Sequence, residues 1–89
     1  MNNKPIDILT MKLISTASKF RLGYEADGSH DFAHCIDQLT PLLPELTNAV
    51  TVAQLFREML AEQERHDWLA LADSLEYDLP LLLKVSFKP

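Results

Sequence analysis

Eighty-nine residues, 47% of them apolar, can build one small core, so a single domain over residues 1–89 is expected. The net charge of −5, with only eight scattered Lys and Arg, excludes a basic stripe for phosphate backbones, and no nucleic-acid partner is expected. Two glycines leave no phosphate cradle, and no apolar run approaches the roughly 20 residues of a membrane span.

The opening residues Met1-Asn2-Asn3-Lys4-Pro5-Ile6-Asp7 lack the charged start, apolar middle and small-residue cleavage site of a signal peptide. A cytoplasmic protein without a membrane partner is the expectation. A first helix is predicted over residues 6–26. Ile6, Leu9, Leu13, Ala17, Phe20 and Tyr24 step by three or four and line one face. Met11, Ile14 and Leu22 lie off that line, which widens the apolar face beyond what one neighbour covers. Gly23 interrupts this helix, and Asp27-Gly28-Ser29 reads as the turn that follows it.

Ser29 is the expected cap of a second helix whose apolar line is Phe32, Ile36 and Leu39. Pro41 and Pro44 do not fit a helix interior. The helix therefore either breaks near Leu39, with Thr40 opening a short new turn at Pro41, or kinks; the break is the favoured reading. Thr51 and Gln54 have the spacing of a capping box and predict a third helix carrying Val52, Leu55, Phe56, Met59 and Leu60. From Leu60 to Trp68 the apolar face rotates by about 80° at 3.6 residues per turn. One helix over 52–79 and two helices separated by an Asp67 cap both remain open.

Trp68, Ala72, Leu75 and Leu79 form the last stripe, and Pro80 is expected to end or bend its helix. The apolar tail that follows, through Leu83, Val85 and Phe87, is either a strap on the core or a patch for a second molecule. With no strand-like alternation, the fold class is all-α, a small bundle of three to four helices.

Chemistry-bearing residues are few. His30 and His34 are four apart on the second helix, the spacing of a zinc-binding pair, with His66 the available third ligand. The position after His30 holds Asp31 where a zincin helix has Glu, so the metal reading is weak. Cys35 is a lone cysteine and reads as a small buried apolar side chain. Asp73, Glu76 and Asp78 form an acidic rim beside the last stripe, with Arg21 or Arg65 available as cross-bundle partners. No spacing joins the serines to the histidines as a triad, so no catalytic residue, enzyme activity or cofactor is expected.

The stretch Asp67-Trp68-Leu69-Ala70-Leu71-Ala72-Asp73-Ser74-Leu75-Glu76-Tyr77-Asp78-Leu79-Pro80-Leu81-Leu82 resembles a pattern of small uncharacterised helical bacterial proteins. Some of these are linked to flagellar or surface-glycosylation gene neighbourhoods. The resemblance covers under a quarter of the chain and implies a bacterial accessory protein; it carries over no site residue. The surplus of apolar faces then points to protein–protein contact by an adaptor or chaperone-like helper, as a homodimer. The expected interaction surface is Trp68, Leu71, Leu75, Leu79, Leu82 and Phe87. An acidic inhibitor or immunity-type protein covering a basic site is the alternative, and a metal-binding protein using His30 and His34 the second.

Overall fold

The computed structural model describes residues 4–86, with side chains over 6–85. It is an all-α bundle, and no strand occurs among the described residues. Helix α1 (Lys4–Arg21) and α2 (Glu25–Leu39) form a hairpin; a 3₁₀ turn (Thr40–Glu45) leads to α3 (Ala49–Glu64). The chain then turns into α4 (Trp68–Asp73), a π-helical turn (Ser74–Asp78) and α5 (Leu79–Ser86). These last three run on without interruption as one rod, 68–86. Helix α3 packs at its side, the 3₁₀ turn lies against α2 and α3, and α1 meets α2, α4, the π turn and α5.

The core follows the predicted stripe of α1: Ile6, Leu9, Leu13, Ala17 and Phe20 are all buried. The helix is shorter than expected. It ends at Arg21, and Gly23 adopts φ 86°, the left-handed conformation that suits glycine. The Gly23 N–H donates to the Phe20 carbonyl (3.2 Å) and the Tyr24 N–H to Lys19 (2.9 Å). Those two bonds are a Schellman cap, so Gly23 terminates the helix rather than weakening its interior. Tyr24 lies past the end and is exposed.

Gly28 is consequently inside α2, not in a turn, and Ser29 does not open that helix. It is buried because Phe20 fills the space beside it: a Cβ there would sit 2.8 Å from Phe20 Cε1. Helix α2 ends at Leu39 as favoured, and the two prolines are accommodated by the tighter 3₁₀ turn. Thr40 does not cap that turn; its Oγ1 donates back to the Ile36 carbonyl (2.8 Å). Likewise α3 opens at Ala49 rather than after Thr51, and Asn48 Nδ2 donates across to the Leu82 carbonyl (3.3 Å).

The choice over 52–79 falls to two helices. His66 takes φ 58°; its N–H donates to Gln63 (3.0 Å), and the Asp67 N–H donates to Glu62 (2.8 Å). This second Schellman cap is built on a residue with a Cβ, at a cost of roughly 1–2 kcal/mol. Asp67 then caps α4, its Oδ1 accepting the Ala70 N–H (3.4 Å). The turn carries Trp68 back to α1. There Trp68 stacks on Phe20 (centroids 5.2 Å, 6° between planes) and on His66 (5.2 Å, 13°). The near-parallel rings join α1, α4 and the turn before it.

Pro80 does not end the last helix. In an α-helix its ring would strike the Glu76 carbonyl, and no N–H exists to bond it. The preceding turn widens instead, and the Leu79 N–H reaches the Ser74 carbonyl five residues back. Leu75, Leu79 and Leu83, each four apart, all lie fully buried. No buried side-chain nitrogen or oxygen among the described residues lacks a hydrogen-bond partner.

Candidate interaction surface

The rod 68–86 has two faces. Its inner face holds Leu71, Ala72, Leu75, Leu79 and Leu83, all fully buried against the rest of the protomer. This corrects the expected interaction surface: Leu71, Leu75 and Leu79 close the protomer's own core and offer nothing to a partner. Trp68 and Leu82 are half-buried and pack against that core. Phe87 lies outside the described residues. The tail is thus neither a simple strap nor a free patch, since α5 buries Leu83 and exposes Leu81 and Val85.

The outer face of the rod was not singled out by the apolar stripe, because it lies on the opposite side. From the π turn onward its exposed positions are Tyr77, Asp78, Leu81, Lys84 and Val85. Tyr77, Leu81 and Val85 stand four residues apart and are 61%, 64% and 62% exposed. Leu81 forms a ridge between two shallow grooves. One, of about 360 Å³, runs between α1 and the rod and is lined by Ile6, Thr10, Tyr77 and Lys84 among others. The other, of about 340 Å³, runs between α3 and the rod beside Gln54, Leu55, Glu58 and Asp78. A second apolar strip lies on the outer side of α1, where Ile8, Met11, Ile14 and Leu22 are exposed. Met11, Ile14 and Leu22 are the residues predicted to lie off the buried line of that helix, and Ile8 joins them.

Electrostatics divide the acidic rim. Arg21, in the last turn of α1, donates through Nη2 to Asp73 Oδ1 (2.7 Å) and through Nε to Glu76 Oε1 (3.2 Å). One guanidinium therefore ties two of the three acids to α1, and Asp78 stays exposed beside Leu81. Hydrogen bonding to the Glu76 carboxylate raises the Tyr77 phenol above its ordinary range. Glu62 is pushed up mainly by burial, although Ser74 Oγ donates to its Oε1 (3.2 Å) and partly opposes this.

The histidines are not assembled. His30 and His34 meet edge to face (4.7 Å, 76°) on the exposed side of α2, while His66 is held against Trp68. Among the described residues no group of three or more His, Cys, Asp or Glu is placed to hold a metal ion. Cys35 is buried, with Sγ 3.7 Å from Thr16 Oγ1, and burial raises its thiol more than that contact lowers it. It borders a cavity of about 270 Å³ between α1 and α2, near the Lys19–Asp31 ion pair. A thiol held protonated in this way is the reverse of an activated nucleophile.

No family model, curated protein or solved structure matches this chain. No helix among the described residues is long and apolar enough to cross a membrane.

Proposed function

We propose that this chain is a non-enzymatic bacterial accessory protein, an adaptor or chaperone-like helper that works by protein–protein contact. One observation carries the reading. The core is already closed by Leu71, Leu75, Leu79 and Leu83, yet large apolar side chains still line the outer sides of α1 and the rod. Scattered exposed apolar residues are ordinary, but helical stripes flanked by grooves are the form protein contacts take. Burial holds the Cys35 thiol protonated, which argues against that one residue as a nucleophile. The resemblance of residues 67–82 to small helical bacterial proteins fits the same picture.

Site-specific photo-crosslinking in a bacterial host tests this. A crosslinker at position 11 or 81 should yield a defined protein adduct, identified by mass spectrometry, that is absent when the crosslinker sits at position 71. No adduct from either outward position would overturn the reading.

An acidic inhibitor that covers a basic site is the second reading, supported by the net charge of −5 and by Asp78 and Glu58 beside the groove. It ranks lower because Arg21 already occupies Asp73 and Glu76.

A further inference from the structure

Of the two grooves beside Leu81, the one between α3 and the rod carries charge of a single sign. Its apolar part is made by Leu55, Leu81 and Leu82. Leu55 and Leu82 are half-buried against the core and still line the groove, while Leu81 is exposed at its edge. Glu58 stands on the α3 wall and Asp78 on the wall of the rod, both exposed. No Lys or Arg among the described residues lines this groove; Lys84 lines the other one, across the Leu81 ridge. Ion pairing sets these two acids apart from their neighbours. Arg21 holds Asp73 and Glu76, whereas no ion pair among the described residues engages Glu58 or Asp78.

We infer that this groove receives an amphipathic helix of a partner protein, one whose apolar stripe carries Lys or Arg along both edges. The inference rests on the protein-contact reading above and names the partner's chemistry. The apolar part of the groove takes the stripe, as in other helix-in-groove contacts. The acids stand on opposite walls, so a helix lying between them meets a carboxylate on each side. Cations along one edge alone would leave the other carboxylate covered and unpaired. An uncharged helix would cover both without compensation, and an acidic one would add repulsion. The same two carboxylates repel the phosphates of a nucleic acid or of a lipid surface, which leaves a basic protein segment as the occupant.

The test uses a synthetic helical peptide of Leu and Lys, its Leu stripe edged by Lys on both sides. It is titrated into the full chain by calorimetry, and backbone amide shifts are followed by NMR. Micromolar binding is expected, with the shifts centred on residues 51–58 and 78–82. The same peptide with Glu for Lys should not bind. Reversing both acids, Glu58→Lys with Asp78→Lys, should weaken binding by about tenfold or more. Asp37→Lys with Glu45→Lys alters the net charge by the same amount at exposed positions of α2 and the 3₁₀ turn, and should weaken it by less than about threefold. Leu81→Ser should weaken it by about fivefold with unchanged circular dichroism, as the residue takes no part in the core. Equal weakening by the two charge reversals would overturn the inference, because the peptide would then be reading net charge alone. An absence of binding, or shifts centred on the outer side of α1, would overturn it too. The crosslinking at positions 11 and 81 does not depend on the partner's charge, so the contact reading stands or falls separately. A partner crosslinked at position 81 through an acidic segment would overturn this inference and leave that reading standing.

Discussion

The two faces of the rod 68–86 are built from the same residue types and do opposite things. Leu75, Leu79 and Leu83 are sealed inside, while Leu81 and Val85, only two residues from a buried neighbour, stand in solvent. Apolar content alone therefore does not locate an interface in this protein. What separates the faces is contact with α1 and α3, and the π turn sets which residues receive it.

The comparison can be broken most severely from the inner side. Leu75→Ala should cost about 2–5 kcal/mol in urea denaturation, as a cavity opens in a closed core. Leu81→Ala, measured at concentrations too low for association, should stay within about 0.5 kcal/mol. Equal losses at the two positions would show that the faces are not distinct.

Gly28→Ala comes next. Its methyl group must displace the Phe20 ring, at about 1–3 kcal/mol. Because Phe20 stacks on Trp68, the tryptophan emission should shift together with the stability. An unchanged spectrum would mean that the rings are not coupled.

The inner face reaches its place through the turn at His66. His66→Ala keeps the left-handed strain and loses the stack on Trp68, so a loss of about 1 kcal/mol is expected. His66→Gly loses the stack but also the strain and should be near neutral in thermal unfolding. A glycine variant as damaged as the alanine one would show that strain is not the issue.

The smallest effect concerns Glu62, which meets Ser74 at the edge of the buried face. Burial raises its folded-state pKa, so the unfolded chain releases the proton first as pH rises. Stability is then lost on passing upward through the usual glutamate range, and the cost is complete above the raised value. Glu62→Gln should gain slightly in melting temperature at pH 7 and match the native protein in acid. A gain that persists in acid would point to packing rather than ionisation.

Parts of this were legible from residue order. The α1 stripe from Ile6 to Phe20 and the break at Leu39 follow from spacing, while residue order leaves Arg21 and Arg65 both open as partners of the acids and the packed helices select Arg21. The end of α1 is not legible there, because a glycine inside a periodic pattern looks alike whether it interrupts or caps. Tyr24 continues the rhythm by coincidence of spacing. Residue order leaves the tail open between strap and patch, because the division of Leu83 inward from Leu81 and Val85 outward depends on where α1 and α3 lie.

Residue order by itself determined that the chain is helical, where its apolar stripes run and that Asp67 can start a new helix, because these depend on neighbours within a few positions. Only the packed structure decided that Gly28 must lack a side chain, that His66 bears a left-handed backbone and that Pro80 is absorbed by a π turn. Each of these is settled by the surrounding packing and backbone bonding: Phe20 beside Gly28, Trp68 against His66, and the Leu79-to-Ser74 hydrogen bond that passes the proline.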